Sequence, residues 1–245
     1  MNYIVFGDIH GRTNWLPVVE SNIDQPVTFI FLGDYVSTHE EISAEKQMSN
    51  LEQILSFKEK YPNKIILLRG NHDLQHLGYR WAQCSGYFPD VDKEMTKIRD
   101  RFLKDTQWIF LDKERGILFS HAGVTNTWLR NSKVSIDEVN NLEPSELFGF
   151  TPDSPWDVYG DSITQPPTWV RPQPLVNDAY LAGELIQVVG HTTLSKIIDL
   201  YDIVTPVSDT IDPPQIPHVW MCDCGLKEYL YITDEKIEVI TIENS

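Results

Sequence analysis

The sequence has few cysteines and no long apolar run. Three cysteines in 245 residues are too few and too irregularly spaced for a disulfide framework or a four-cysteine zinc site. No apolar stretch approaches the roughly 20 residues that a membrane-crossing helix needs. Residues 1–6 lack a basic leader and a small-residue cleavage site. We therefore expect a protein of a reducing, cytoplasmic compartment that neither spans a membrane nor is secreted.

Positive charge is also scarce. Lysine and arginine total 20 against 36 aspartates and glutamates, which gives a formal charge of −16. An acidic surface repels polyanions, so long nucleic acid is a disfavoured partner. A small phosphorylated substrate or a phosphoprotein stays compatible with this charge, because bound divalent cations dominate the field close to them. The oligomeric state is left open by the sequence.

Short apolar runs bounded by turn residues predict buried strands at residues 3–6, 27–32, 65–68, 117–119 and 185–189. Helical spacing predicts helices over 40–61 and 92–104, and the first of these completes a β-α-β crossover. Four further strands, at 197–204, 218–221, 227–232 and 237–242, are predicted to form an antiparallel meander. Strands that alternate with helices, followed by a run of strands, predict an α/β (α+β) fold. We expect a single domain over residues 1–245, built as a four-layer sandwich of two mixed β-sheets flanked by helices.

Residues 143–174 show no sustained period. This segment holds seven of the fifteen prolines. Loops of this length in a compact domain are usually functional or disordered, and the aromatic residues of this one favour order. We therefore predict an inserted, ordered loop over the active-site face.

Polar motifs follow the predicted strands. GDIHG occupies residues 7–11, GDYV residues 33–36 and GNHD residues 70–73, and two more histidines follow later strands. Strand ends are where α/β sheets gather ligands. The candidate metal ligands are Asp8, His10, Asp34, Asn71, His121 and His191. Carboxylate, imidazole and amide groups suit manganese, iron or zinc, and six of them suit a two-metal site at the strand ends in which Asp34 bridges the ions.

The order of these motifs, with HAG at 121–123 and GH at 190–191, resembles the calcineurin-like metallophosphoesterase superfamily. The resemblance is closest to the branch of the phosphoprotein phosphatases and diadenosine tetraphosphatases. It implies two divalent metal ions, with manganese expected and iron or zinc as alternatives. It assigns Asp8, His10 and Asp34 to the first ion, and Asp34, Asn71, His121 and His191 to the second.

The same resemblance implies hydrolysis of phosphomonoesters by in-line attack of a metal-bridging hydroxide. His72 matches the general acid of the family, which protonates the leaving oxygen. Arg69 matches a phosphate-gripping arginine, and Arg171 is similar to a second one. The sequence departs from the family after GDYV, where Ser37-Thr38-His39 replaces Asp-Arg-Gly.

This departure removes the carboxylate that orients the general acid and one phosphate arginine. Asp73, Glu40 and Glu41 are the candidates to replace that carboxylate. Two other functions stay open: a pyrophosphate-bond hydrolase acting on dinucleoside polyphosphates, and a non-catalytic binding scaffold of the same fold. His39, His76 and His218 lack the motif context and are interpreted as structural or surface residues.

Overall fold

The computed structural model describes residues 2–79, 84–147, 156–181, 185–203 and 217–243. The chain divides into two compact units. The first contains Met1–Gln107, Thr193–Ile197 and Cys222–Ser245, and the second contains Trp108–Thr192 and Ile198–Met221. The single domain expected for residues 1–245 stays a prediction. Every helix in the described ranges is too short or too polar to cross a membrane.

The first unit contains a mixed five-stranded sheet. Numbered in chain order, its strands are β1 (Asn2–Phe6), β2 (Val27–Phe31), β3 (Ile65–Leu67), β9 (Glu228–Ile232) and β10 (Ile237–Thr241). The strand order is β10-β9-β1-β2-β3, with β1, β2 and β3 parallel and the other two antiparallel. Strands β1 and β2 lie within one residue of the runs predicted at 3–6 and 27–32.

Four helices belong to this unit: α1 (Trp15–Asn22), α2 (Ala44–Lys60), α3 (Asn71–Gln75) and α4 (Pro89–Asp105). The predicted β-α-β crossover is formed by β2, α2 and β3. Helix α2 begins at residue 44 because the Ser43 hydroxyl accepts the Lys46 N–H at 3.3 Å and caps it. Helices α1 and α3 were not predicted, since both are too short to display a helical period.

The second unit has its own mixed sheet. Its strands are β4 (Ile109–Asp112), β5 (Ile117–Ser120), β6 (Ile186–Val189), β7 (Ile198–Asp199) and β8 (Val219–Met221). The order is β4-β5-β6-β8-β7, with β5, β6 and β8 parallel. Its helices are α5 (Asn126–Ser132), a 3-10 helix (Ile136–Asn141), α6 (Pro144–Leu147), α7 (Pro172–Asp178) and α8 (Leu200–Ile203). Two mixed sheets with helices confirm the predicted fold class.

The predicted C-terminal meander is wrong. Strands β7 and β8 lie in the sheet of the second unit, whereas β9 and β10 form a hairpin in the first. Residues 200–203 are helical, and residue 204 of the predicted strand lies outside the described residues. The alternation of apolar residues indicates that a segment forms a strand, but it does not indicate which strand it pairs with. In the structure β8 pairs in parallel with β6.

The core of the first unit holds the ends of β1 and β2 in place. All five residues of β2 are buried, as expected for a parallel strand covered on both faces. The Trp15 ring packs edge-on against Phe31 at 5.4 Å, and Phe6 packs against Phe31 at 5.0 Å. The loops that follow these two strands run side by side, because His10 N–H donates to the Asp34 carbonyl at 2.7 Å.

Candidate metal centre

Four predicted ligands follow β1, β2 and β3, three of them on loops and Asn71 at the start of α3. Asp8, Asp34 and Asn71 are buried, and His10 is partly exposed. Parallel strands deliver their carboxyl ends to one edge of a sheet, so the GDIHG, GDYV and GNHD motifs meet there. The first unit therefore brings these four side chains to the same sheet edge, as the sequence predicts.

The His10 ring is oriented as in a metal-binding histidine. Its Nδ1 is in hydrogen-bond contact with the Ser37 carbonyl oxygen, which requires the proton on Nδ1. Its Nε2 therefore carries the lone pair, and it lies 3.8 Å from Asp8 Oδ2 and 3.9 Å from Asp34 Oδ2. Ligating histidines commonly donate their other ring N–H to a backbone carbonyl in this way. The donor set and this ring orientation fit a divalent metal ion.

Three predicted ligands have a left-handed backbone. The φ angle is 47° at His10, 51° at Asp34 and 65° at His191. Residues other than glycine rarely adopt this conformation, and such strained positions cluster at functional sites. These three left-handed residues lie two to four residues after β1, β2 and β6, where the predicted ligands are expected.

The Asp73 carboxylate fixes the turn that carries Asp34. Its Oδ2 accepts the N–H groups of Asp34 at 3.0 Å and Gly70 at 2.8 Å, and its Oδ1 accepts that of Tyr35 at 2.8 Å. These bonds hold two ligand loops together through their backbones. Asp73 therefore positions a ligand loop, and its predicted catalytic role stays a prediction.

Gly70 permits this close approach of the two loops. A Cβ at this position would lie 2.0 Å from Asp34 Oδ1 and 2.5 Å from the Asp34 nitrogen. The glycine of the GNHD motif is thus required by packing, because its φ of −101° is open to any residue.

His72 lies beside the ligands. Its N–H donates to Asp34 Oδ1 at 2.8 Å, and its ring meets the His10 ring edge-on with centroids 5.1 Å apart. His10, Asp34 and His72 each offer a ligand atom, and these atoms lie within 4.8 Å of one another. The general-acid candidate is therefore within reach of the same centre.

One group that contacts His72 Nδ1 is Gln75, whose Nε2 lies 3.3 Å away. Among the candidates for the orienting group, Asp73 binds backbone N–H groups and Glu40 pairs with Arg12 at 2.6 Å. Sequence reasoning missed Gln75 because it sought only a carboxylate. The signal was present, since Gln75 follows His72 by three residues and a helix places such residues on one face.

Arg69 is buried, and α4 holds part of its guanidinium. Its Nε donates to Thr106 Oγ1 at 2.8 Å, and its Nη2 donates to the carbonyls of Leu103 at 2.5 Å and Thr106 at 2.7 Å. These bonds join the end of β3 to the last turn of α4. The phosphate-gripping role of Arg69 stays a prediction.

In the second unit, His121 and His191 lie together. Both are buried, their ring centroids are 5.1 Å apart, and Gly190 N–H donates to the His121 carbonyl at 2.7 Å. His191 Nε2 faces the Trp169 carbonyl at 3.2 Å, which places a proton on Nε2 and the lone pair on Nδ1. The parallel pairing of β5 with β6 thus brings these two predicted ligands to one sheet edge.

The predicted loop over 143–174 contains α6 and the start of α7, and its residues 148–155 lie outside the described residues. Its later part packs against His191. The Trp169 ring is 5.8 Å from the His191 ring, and Arg171 Nη1 donates to the His191 carbonyl and to Thr192 Oγ1, each at 3.2 Å. Arg171 is therefore beside a predicted ligand, while its phosphate contact stays a prediction.

Several groups around the first-unit site, buried or partly buried, are held neutral. Burial raises the pKa of the Cys84 thiol, and the nearby Asp34 charge adds to this. Burial, followed by the charges of Asp73 and Asp34, raises the pKa of Tyr35. Burial lowers the pKa of His76 to about 4. Burial also raises the pKa of the Cys222 thiol, so this cysteine packs in the core, and neither it nor Cys84 supplies a thiolate.

Buried carboxylates and imidazoles at the ends of parallel strands are typical of metal-dependent hydrolases. The family model described as "Calcineurin-like phosphoesterase" matches residues 1–217. The chain belongs to this family. The superfamily predicted from the order of the motifs is thereby confirmed.

Similar proteins of known sequence include serine/threonine phosphatases. The protein phosphatase PP1-delta of Caenorhabditis elegans is 30% identical over 131 residues, which cover 50% of this chain and 39% of that protein. A probable serine/threonine-protein phosphatase of Encephalitozoon cuniculi is 23% identical over 175 residues, covering 71% of this chain and 34% of the relative. The chain thus spans about two-fifths or less of the length of these relatives.

Solved structures of similar fold cover nearly the whole chain. A serine/threonine phosphatase from Saccharomyces cerevisiae with similarity to human PP5 superposes with a TM-score of 0.64 at 13% identity, covering 100% of this chain and 80% of that one. A cold-active protein tyrosine phosphatase gives a TM-score of 0.62 at 16% identity, covering 98% and 76%. At these identities the likeness concerns the fold.

Proposed function

We propose that this protein is a dinuclear metal-dependent phosphoesterase that hydrolyses phosphomonoesters. Family membership and the ligand geometry within each unit support this proposal. Asp8, His10 and Asp34 are the proposed ligands of the first ion, and Asp34, Asn71, His121 and His191 those of the second. Manganese is the proposed metal, with iron and zinc as the other metals that this ligand set accepts.

The observation that carries the proposal is the His10 ring. Its Nδ1 proton is committed to the Ser37 carbonyl, and its Nε2 lone pair faces two buried carboxylates, Asp8 and Asp34. Two buried carboxylates beside the same ring nitrogen are costly to keep charged without a cation. When bound, divalent ions polarise phosphoryl oxygens and lower the pKa of water.

The chain's own groups have distinct proposed roles. His72 supports the leaving oxygen, because it lies beside His10 and is fixed through its N–H to Asp34. Asp73 holds the Asp34 turn in its ligating conformation. Arg69 and Arg171 are proposed to neutralise phosphate oxygens, and their planar guanidinium groups suit that contact.

The test is hydrolysis of phenyl phosphate with added Mn²⁺ by the wild type and the Asp34→Asn and His72→Asn variants. Asp34→Asn should abolish turnover and reduce bound metal, because the proposed bridging ligand loses its charge. His72→Asn should lower turnover by at least about 10-fold with bound metal unchanged. Asp24→Asn is the matched control, since Asp24 is exposed. Unchanged turnover in Asp34→Asn would contradict the proposal.

A second candidate function is hydrolysis of a pyrophosphate bond in dinucleoside polyphosphates. A pocket of about 600 Å³ in the first unit begins at Gly11, next to His10, and is lined by Arg12, Lys46 and Lys227. Its one acidic side chain, Glu40, is already paired with Arg12 at 2.6 Å. A net positive pocket beside the ligands of an acidic protein favours a substrate with more than one anionic group.

A substrate panel separates these two functions. The panel also includes phosphopeptides, because the similar proteins are named as serine/threonine phosphatases. Diadenosine tetraphosphate, phenyl phosphate, phosphotyrosine peptide and phosphoserine peptide should be compared at equal concentration. Preference for the tetraphosphate, reduced in Lys46→Ala and Lys227→Ala, would support the second function. Bound metal without turnover on any member would favour the non-catalytic scaffold.

A further inference from the structure

The polar pocket of about 600 Å³ in the first unit gathers positive charge in an acidic protein. Its charged lining residues are Arg12, Lys46 and Lys227 against the single carboxylate of Glu40. The whole chain carries 36 acidic and 20 basic residues, so an average patch of its surface is negative. The three cations come from the loop after β1, the start of α2 and the residue before β9. The fold therefore concentrates at this pocket a charge opposite to that of the chain.

Most polar side chains of the pocket have unused binding capacity. Lys46 and Lys227 are exposed, and neither pairs with a carboxylate in the described ranges. Four uncharged side chains of the lining make no hydrogen bond to any residue that the structure describes: Thr13, Asn14, Ser49 and Gln53. The volume falls within the range of about 300–1,000 Å³ that is typical of small-molecule sites. The pocket thus offers cations and neutral donors and acceptors to one small ligand.

The Arg12 guanidinium is held in place, but its donors are not all used. The Asn50 Nδ2 group donates to the Arg12 carbonyl at 3.1 Å, and the Arg12 N–H donates to the Ile9 carbonyl at 2.9 Å. Arg12 Nε and Nη2 both donate to one oxygen of Glu40, Oε1, at 2.9 and 2.6 Å. Its Nη1 has no hydrogen-bond partner in the described part of the chain. Two phosphate oxygens would match the planar guanidinium better than this single oxygen does.

Glu40 is an exchangeable partner of Arg12. Its side chain is 53% exposed, so its carboxylate can return to water when another anion takes its place. An exposed ion pair contributes little to stability, which makes this exchange inexpensive. A phosphate ester carries a charge of about −1.5 to −2 near neutral pH and has three acceptor oxygens, so it competes well with one carboxylate for three cations.

We propose that this pocket is a binding site for the phosphate ester of a sugar or a nucleotide, whose phosphate displaces the Glu40 carboxylate from Arg12. Lys46 and Lys227 bind the remaining phosphate oxygens, and the uncharged lining residues bind the hydroxyl groups of the sugar. The pocket lining contains none of the six proposed metal ligands. The site therefore goes beyond the proposed hydrolysis of phosphomonoesters, and its ligand binding does not depend on that function.

The first test measures binding of the phosphonate analogue of ribose 5-phosphate, which resists hydrolysis, to the full chain by calorimetry with Mn²⁺ and again with EDTA. Binding should persist in EDTA, because no proposed metal ligand lines the pocket. Lys227→Gln should weaken it at least about 10-fold, since a hydrogen bond to a charged group contributes about that much affinity. Lys93→Gln is the control, because Lys93 is exposed and lies outside the pocket lining.

Loss of all binding in EDTA, with the chain still folded by circular dichroism, would place the ligand on the metal ions and overturn the proposal. Equal affinities of Lys227→Gln and Lys93→Gln would also overturn it. If the chain unfolds in EDTA, the comparison of these two variants with Mn²⁺ decides the question. Both lysines are exposed, so neither substitution should disturb folding.

The second test examines the exchange with Glu40. Glu40→Gln removes the competing charge and should tighten binding of the same phosphonate about 2- to 5-fold, the range expected for an exposed ion pair. Glu41→Gln makes the same change in net charge at the next residue, which is exposed and outside the pocket lining, and it should bind like the wild type. Equal affinities of the two variants would refute the displacement of Glu40.

The third test identifies the molecule that carries the phosphate. Methylphosphonate has no sugar, so it should bind at least about 10-fold more weakly than the ribose compound, because it makes no contact with the uncharged lining residues. Equal binding of the two would refute the proposed ligand class. The phosphonate analogue of AMP separates the two sources: tighter binding than the ribose compound supports a nucleotide, and equal or weaker binding supports a free sugar phosphate.

Discussion

Replacing Asp73 by asparagine should destabilise the protein and weaken its metal site together. The carboxylate accepts three backbone N–H groups, from Asp34, Tyr35 and Gly70, at 2.8–3.0 Å, and it is fully buried. An asparagine whose oxygen replaces Oδ2 keeps two of these bonds, while its NH₂ group faces the Tyr35 N–H. One buried donor then loses its acceptor, and two bonds lose their charge assistance.

The magnitude follows from these losses. A buried unsatisfied donor costs about 1–3 kcal/mol, and weakening two charge-assisted bonds adds on the order of 1 kcal/mol. We expect a loss of about 2–4 kcal/mol in the free energy of unfolding, a large share of the ordinary 5–15 kcal/mol or so. Urea denaturation followed by circular dichroism measures it, and titration with Mn²⁺ should show weaker binding because the Asp34 turn loosens.

Asp24→Asn is the reference variant, since it makes the same chemical change on the surface. It should stay within about 0.5 kcal/mol of the wild type. If Asp73→Asn unfolds at the same urea concentration as Asp24→Asn and binds Mn²⁺ normally, then the Asp73 bonds do not hold the ligand loop, and the reasoning is refuted.

Two further predictions concern Gly70 and His76. In Gly70→Ala, the new Cβ would lie 2.0 Å from Asp34 Oδ1, so Mn²⁺ affinity measured by calorimetry should fall at least about 10-fold. In the control Gly78→Ala the Cβ meets nothing within 4 Å, so the backbone strain at its φ of 84° lowers stability while Mn²⁺ binding stays normal. The pKa of His76 is lowered to about 4 by burial, so the unfolded chain takes up a proton below pH 6.5 or so while the folded one does not. The free energy of unfolding therefore falls as the pH drops from about 6.5 towards 4, because His76 stays neutral in the folded protein over this range. The wild type should lose about 2 kcal/mol more than His76→Gln between roughly pH 7.5 and 5, measured by urea denaturation, and equal losses would contradict the assignment.

The parts of the fold predictable from sequence were those with a strong local pattern. Residues 27–31 are apolar except for Thr28, and residues 44–60 are amphipathic, and both elements form nearly where predicted. The meander failed because pairing is decided by distant contacts: β8 lies against β6, about thirty residues back along the chain. Local pattern carries no information about that partner.

The ligand motifs could be recognised in the sequence because each is a short run of residues at the end of a predicted strand. The short distance between His10 and Asp34 agrees with that prediction. The positioning role of Asp73 was not visible, and the contact of Gln75 was signalled only by its place three residues after His72. Asp73 acts on backbone N–H groups, which have no sequence signature, and Gln75 contacts His72 only because α3 and Cys84 fix its amide. Hydrogen-bond polarity emerges from packed structure and not from residue type alone.

The most direct test of the central claim is bound metal per chain, measured by elemental analysis after loading with Mn²⁺, together with turnover of phenyl phosphate. The proposed ligand set predicts two ions per chain in the wild type and fewer in His10→Asn and His191→Asn, with turnover falling in step. Substoichiometric metal in the wild type, or full turnover in either variant, would contradict the dinuclear phosphoesterase.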